Sequence, residues 1–270
     1  MNPSSTFVFT LFTKDPLLAK QADLGGIGRI GVDLEVLGKE NRQARKENRF
    51  SDHTLEDFIR IQRVLTKAES FARVNPIHAE SQQEIESFIQ AGVNWLMLPY
   101  FHTVSEVEKF LSYVKNRARV VLLIETPESV SLLSELIQLE GVDEVHFGLN
   151  DLRLALKLPF HFQVLTNHHL DEAFELLRSK NIPFGIAGVG YPGDSSVPIP
   201  PAFFYSQLCL LGATRTLISR SFLNHSISKQ DFPQALRHLW DSLDQVSSLS
   251  RAELLELDRQ FIEAVAKLSR

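Results

Sequence analysis

Eight short apolar runs alternate with helix-period segments along this chain, and no other feature restricts its fold as strongly. The runs lie at about 7–13 (FVFTLFT), 29–35 (RIGVDLE), 69–75 (ESFARVN) and 95–100 (WLMLPY), then at 119–126 (RVVLLIET), 144–149 (EVHFGL), 183–188 (PFGIAG) and 215–220 (RTLISR). Several are almost continuously apolar, the texture of parallel strands covered on both faces. The segments between them carry helix-start signals. Thr54 precedes Leu55-Glu56-Asp57, Ser81 with Glu84 and Thr103 with Glu106 read as capping boxes, and Thr126-Pro127 reads as an N-cap followed by proline at the first helical position.

Eight such units in 270 residues predict an α/β protein, a (β/α)8 TIM barrel, whose typical length is about 250 residues. A doubly wound open sheet has the same alternation and stays open as the alternative, because closure is not written in one sequence. No internal repeat and no Gly/Ser-rich linker divides the chain. The barrel is expected over 1–230, followed by a helical extension over 231–270. Leu236, Leu239, Trp240 and Leu243 form one apolar stripe there, and Leu254, Leu257, Phe261, Ile262 and Val265 form a second. A barrel needs one helix after its last strand, so the second stripe is expected to pack on the barrel or on a neighbouring subunit.

Composition bounds the function. Lys and Arg number 28 against 33 Asp and Glu, a formal charge of −5, with no basic excess of the kind that nucleic-acid binding requires. No apolar run approaches the roughly 20 residues of a membrane span. The N-terminus lacks the basic and apolar regions of a secretory signal. Cys209 is the one cysteine, which rules out an intramolecular disulfide and a cysteine-built zinc site. A soluble protein of the reducing cytoplasm is the expectation.

In a (β/α)8 barrel the active site lies at the C-terminal strand ends. The polar residues there are Lys14, Asp33, Glu35, Arg73, Asn75, His102, Glu125, Asn150, Asp151, Ser219 and Arg220. Glu125 and Asp151 follow consecutive apolar strands, so both can project into one mouth and share a Mg²⁺ ion. The other reading is that each serves only the start of its helix. Arg73 could hold a carboxylate or an enolate oxygen, or form a structural ion pair with Glu35. Gly148-Leu149-Asn150-Asp151 leads from a strand into a helix, where backbone N–H groups can hold an anion or simply make a turn. The run 39–49, with five basic and two acidic residues, is either a solvated face or a basic lid over the site. Gly25-Gly26-Ile27-Gly28 precedes a strand and makes a poor dinucleotide loop. His168-His169 opens a helix, with exposure expected. The third to seventh runs contain no lysine, which disfavours Schiff-base chemistry.

RIGVDLE (29–35), ARVNP (72–76), Gly-x-x-x-Leu-Met-Leu-Pro (92–99), LLIETPESV (122–130) and GVDEVHFGLNDLRLAL (141–156) resemble, in that order, the HpcH/HpaI aldolase and citrate lyase β-subunit family of pyruvate-binding barrels. The resemblance spans about 7–222. It implies that Glu125 and Asp151 coordinate Mg²⁺ or Mn²⁺, that Arg73 binds a 2-oxo acid and its enolate, and that Gly148, Leu149 and Asn150 hold the substrate carboxylate through backbone N–H groups. It also implies trimers or hexamers in which a C-terminal helix crosses to a neighbour. The aldolases of the family carry a histidine after Asp-x-Glu, where Val36 stands here. Glu35, His53 and a metal-bound water are therefore the candidate bases. The expected function is a divalent-metal-dependent carbon–carbon lyase acting on a small anionic 2-oxo or 2-hydroxy acid. The alternatives are an acyl-CoA lyase of the citrate lyase or malyl-CoA type and a non-catalytic barrel that binds 2-oxo acids.

Overall fold

The computed structural model describes residues 7–39, 51–224 and 228–268. The elements follow in the order β1 (Val8–Phe12), α1 (Pro16–Leu24), β2 (Arg29–Asp33), α2 (Leu55–Gln62), β3 (Glu69–Arg73), α3 (Ser81–Gln90), β4 (Trp95–Leu98) and α4 (Val104–Val114). Then come β5 (Arg119–Ile124), α5 (Pro127–Ser131), α6 (Leu133–Leu136), β6 (Glu144–Phe147), α7 (Leu149–Ala155), α8 (Gln163–Thr166) and α9 (Asp171–Ser179). The chain continues with β7 (Phe184–Val189), α10 (Pro201–Leu211), β8 (Arg215–Ile218), α11 (Arg220–Asn224), α12 (Phe232–Ser247) and α13 (Arg251–Leu268). All eight strands are parallel and β1 pairs with β8, so the sheet closes on itself as a (β/α)8 barrel. The open-sheet alternative is thereby removed. Among the described residues no helix is long and apolar enough to cross a membrane.

Two apolar layers hold the barrel. Phe71, Trp95, Met97, Val121 and Leu123 fill its interior with Phe12 packed against them. The opposite strand faces, with Phe9, Ile30, Val32, Leu96, Leu122 and Val145 among them, pack against the helices. That two-sided burial is why the strands read as unbroken apolar runs. At the N-terminal end Glu144 takes two bonds from Arg29, at 2.7 and 2.8 Å, and one from Arg215 at 2.9 Å. Arg29 also lies 3.6 Å over the Trp95 ring. This buried pairing closes the floor of the barrel, the end where this fold puts stability rather than chemistry. Between β2 and β3 the backbones come so close that a Cβ on Gly31 would stand 1.5 Å from the Phe71 carbonyl oxygen.

Capping boxes start α2 (Thr54 with Asp57) and α4 (Thr103 with Glu106), and Thr126 caps α5 ahead of Pro127. The box expected from Ser81 and Glu84 does not form. Ser81 is the first residue of α3 and accepts the His78 N–H, while Glu84 turns to the backbone and side chain of Asn75. Asn75 in turn receives the Val36 and Leu37 N–H groups on its Oδ1. A tertiary contact that ties down the chain after β2 has outcompeted the local cap.

The C-terminal helices both lie on this chain's own barrel. Trp240 of α12 meets Phe9 with ring centroids 4.5 Å apart. Phe261 and Val265 of α13 are fully buried against α10 and α8, and Gln207 donates to Asp258 at 2.9 Å. Two residues of the second stripe therefore find their cover within the chain, while Leu254, Leu257 and Ile262 are half-buried. Cys209 sits partly buried on outer helix α10, where burial pushes its thiol up to about 11 and keeps it unreactive.

Candidate active site

The C-terminal end of β2 and β3 builds a buried ionic cluster. Asp33 ends β2 and Arg73 ends β3, directly opposite each other in register. Arg73 donates Nε to Asp33 Oδ1 at 2.8 Å and Nη2 to Oδ2 at 2.7 Å, a two-pronged pair, and its Nη1 lies 3.1 Å from Glu35 Oε2. Lys39 Nζ lies 2.9 Å from Glu35 and 3.8 Å from Asp33. Burial alone would raise Asp33, but Arg73 and then Lys39 bring its pKa down to about 2. Burial also raises Glu35, yet Arg73 and Lys39 outweigh it and hold this carboxyl below the ordinary glutamate range. Of the two readings of Arg73, the ion pair with Glu35 is present, and Asp33 joins it. Arg73 also lines the open cavity. A guanidinium has five N–H donors, so the three committed to Asp33 and Glu35 leave as many as two directed elsewhere.

Glu125 and Asp151 approach from the other side. Glu125 follows β5, and its Oε1 accepts the Tyr100 N–H at 2.9 Å. Tyr100 adopts φ 44°, a left-handed conformation rare for a bulky residue, at the turn that delivers this N–H. Asp151 lies in the first turn of α7. One carboxylate oxygen from each of Glu35, Glu125 and Asp151 lies within 4.8 Å of the others, and all three residues are buried. Oxygens surrounding one small divalent cation span about 4–5 Å. Asp33, Glu35, Glu125 and Asp151 are four carboxylates facing two cations, Arg73 and Lys39. The formal excess of two negative charges is what one divalent cation balances. Donor chemistry, spacing and charge all fit Mg²⁺ or Mn²⁺, and they bring Glu35 into the set beside the two residues expected from sequence.

Gly148 has a spatial role. Its N–H donates to the Ile124 carbonyl at 2.9 Å and so stays in the sheet. Of the three residues expected to present N–H groups to an anion, Leu149 and Asn150 are left, in the opening turn of α7 where N–H groups lack helical partners. A Cβ on Gly148 would stand 2.8 Å from Glu125 Oε2 and 2.9 Å from its Cβ. Gly148→Ala should therefore displace the Glu125 carboxylate while the barrel stays folded. Calorimetric Mn²⁺ titration is expected to show about tenfold or greater weakening. Unchanged affinity would remove Glu125 from the metal set.

The cluster opens into a cavity of about 670 Å³, well within the roughly 300–1,000 Å³ of ligand sites. Glu35, Arg73, Glu125, Gly148, Leu149, Asn150, Asp151, Gly188, Ser219 and Arg220 all line it. Lys14, Asn75, His53 and His102 do not. Lys14 pairs with Asp52 near the surface, His102 is exposed beside Glu128, and Asn75 is the latch described above. His53 fails as a base for a geometric reason. Its Nδ1 accepts the Asp33 N–H at 3.0 Å, and burial holds its pKa below the ordinary value. Glu35, kept ionised by two cations, is at most a weak base. Of the proposed lid only Lys39 is described, as a buried partner of Glu35; 40–49 lie outside the described residues. His168 and His169 are exposed.

Two cavity-lining histidines were not singled out from sequence. His146 lies on β6, two residues from Glu144 and so on the same strand face, pointing into the barrel. Its Nε2 bonds the Ala187 carbonyl at 3.0 Å, and a Cβ on Gly185 would fall 2.3 Å from its Nδ1. Burial lowers its pKa to about 4. His161, in the loop after α7, is likewise lowered to about 4 by burial and then by Arg153. A polar pair at alternate positions in EVHF was the available signal for His146. His161 has none, because its place depends on how the loop folds back.

A comparison with curated proteins gives no match. Among solved structures the chain is similar to citrate synthase SbnG, with 17% identity and a TM-score of 0.57 over 88% of this chain and 91% of that one. It is similar also to the HpcH/HpaI aldolase from Desulfitobacterium hafniense DCB-2, with 13% identity and a TM-score of 0.57 over 91% of this chain and 94% of that one. At these identities the likeness supports the barrel fold alone. The sequence itself matches the HpcH/HpaI aldolase/citrate lyase family over residues 14–172, more than half of the chain. That span holds Glu35, Arg73, Glu125 and Asp151, the residues that the barrel gathers at one mouth, and the chain therefore belongs to the HpcH/HpaI aldolase/citrate lyase family.

Proposed function

We propose that this protein is a divalent-metal-dependent carbon–carbon lyase of the aldolase type, working through a pyruvate-like enolate. The observation that carries the reading is the buried Glu35–Glu125–Asp151 cluster with Arg73 at its edge. Glu125 and Asp151, with Glu35 as the third carboxylate, would hold Mg²⁺ or Mn²⁺. The ion, when bound, supplies Lewis-acid polarisation of the 2-oxo group. Arg73 directs its remaining N–H groups at the oxygen on which enolate charge develops, with its orientation fixed by Asp33. The N–H groups of Leu149 and Asn150 receive the substrate carboxylate. Leu123 and Phe147 line the cavity beside them and limit water.

The proton leaving the methyl carbon needs an acceptor. Val36, where aldolases of the family carry a histidine, is 39% exposed at the rim. His146 has one nitrogen committed to Ala187 and the other packed at Gly185. Of the two side chains expected as bases, Glu35 lines the cavity and His53 does not. Held ionised by Arg73 and Lys39, and counted among the metal-holding carboxylates, Glu35 would serve only as a weak base.

Decarboxylation of oxaloacetate isolates the enolate half of this chemistry. Turnover is expected to need added Mg²⁺ or Mn²⁺, to disappear with EDTA and to return when the metal is restored. Turnover indifferent to the chelator would remove the metal role.

A further inference from the structure

The cavity has two unlike halves. The ionic cluster comes from the ends of β2, β3, β5 and β6. The opposite half is built by Phe160 and Phe162 after β6, by Val197, Ile199 and Phe204 after β7, and by Leu217 on β8. These side chains form a braced wall. Phe162 stacks on Phe204 of α10 with centroids 5.3 Å apart, and it meets Phe261 of α13 edge-on, also at 5.3 Å. Phe160 closes on Phe162 at 5.6 Å. Phe160, Val197 and Leu217 are only half-buried although apolar, and they face the open cavity. Burial keeps His161, the titratable group on this wall, uncharged near neutral pH. At the β8 end Ser219, Arg220 and Ser221 line the cavity too; the two hydroxyls bond each other at 2.7 Å, and Arg220 is exposed, where solvent screens its charge. A three-carbon 2-oxo acid fills a small part of about 670 Å³.

We infer that the β7–β8 half of the cavity receives an uncharged, apolar side chain on the substrate, which makes the acceptor an aliphatic or aromatic aldehyde rather than one ending in a carboxylate. The inference rests on the lyase reading for its chemistry, and on the wall alone for its side-chain preference. In the condensing direction C3 of the pyruvate enolate bonds to the carbonyl carbon of R–CHO. The carbonyl π pair becomes an alkoxide and takes up a proton, matching the one lost from C3. The product is a 4-hydroxy-2-oxo acid with apolar R, and cleavage is the reverse, with no change of oxidation state overall. A terminal carboxylate on R would be desolvated against phenylalanine rings without a buried cation to meet it.

Calorimetric titration of the Mg²⁺-loaded full chain with 2-oxohexanoate and 2-oxoadipate compares an apolar tail with a charged one at equal carbon number. The apolar acid is expected to bind about tenfold tighter or more. Equal affinity, or tighter 2-oxoadipate, overturns the inference. Val197→Lys places a cation on the wall and should shrink the ratio about tenfold; a ratio unmoved by it also overturns the inference. Exchange of pyruvate methyl hydrogens with deuterated solvent tests the lyase reading separately. Loss of exchange with the binding preference intact removes that reading and leaves the apolar subsite standing. With exchange present, kcat/KM for condensation should favour hexanal over 5-oxopentanoate by a similar factor, and a preference for 5-oxopentanoate overturns the inference.

Discussion

Replacing Arg73 by lysine is expected to lower kcat/KM for oxaloacetate decarboxylation by about 10²–10³-fold while leaving the chain folded. An ammonium can neutralise one carboxylate, but it cannot keep two parallel bonds on Asp33, reach Glu35 and still present donors to the cavity. Arg73→Ala goes further. It leaves Asp33 and Glu35 buried with Lys39 as their remaining cation, and removal of one partner from a buried pair costs about 3–5 kcal/mol. Urea denaturation of both variants beside steady-state kinetics separates the two roles. A lysine variant within fivefold of the parent activity would make Arg73 a structural residue alone.

Acid is expected to weaken the fold well above the carboxylate range, with His146 as a principal cause. The ordinary histidine value is 6.5, and burial in the barrel lowers His146 to about 4. As pH falls below 6.5 the unfolded chain takes a proton that the folded one refuses until pH 4 is reached. Stability is therefore complete above pH 6.5 and is lost progressively across 6.5 to 4. The gap corresponds to about 3 kcal/mol. His161 and His53 shift in the same direction and add to the slope. In His146→Gln a neutral amide replaces the imidazole and can still donate to the Ala187 carbonyl. Unfolding free energies at pH 7 and pH 4.5 should differ by about 2–3 kcal/mol less in that variant than in the parent. Equal differences would mean that His146 is protonated within the fold.

The strands were legible because a barrel strand is buried on both faces, which leaves little freedom in what it can contain. Thr54, Thr103 and Thr126 marked helix starts because a cap is a local bond between near neighbours. Ser81 failed because Glu84 had a longer-range partner, Asn75, that no local pattern announces. The same division runs through the site. Glu125, Asp151, Arg73 and Glu35 could be chosen as polar residues following apolar strands. Their common oxygen cluster and the burial of His146 needed the closed ring, whereas Lys39 meets Glu35 from four residues away in the segment after β2.

By itself the sequence determined the number and order of strands, the strand ends at which these polar residues gather and the family, since each is carried by local pattern and by short motifs in register with it. The tertiary structure alone decided that Glu35 stands with Glu125 and Asp151, and that the Gly148 N–H belongs to the sheet. It also folded α13 back onto its own barrel, so that Phe261 supports an apolar wall opposite the charges. These outcomes depend on closure. Only when β8 pairs with β1 do side chains more than a hundred residues apart face one cavity, where burial makes every charge and every ring matter.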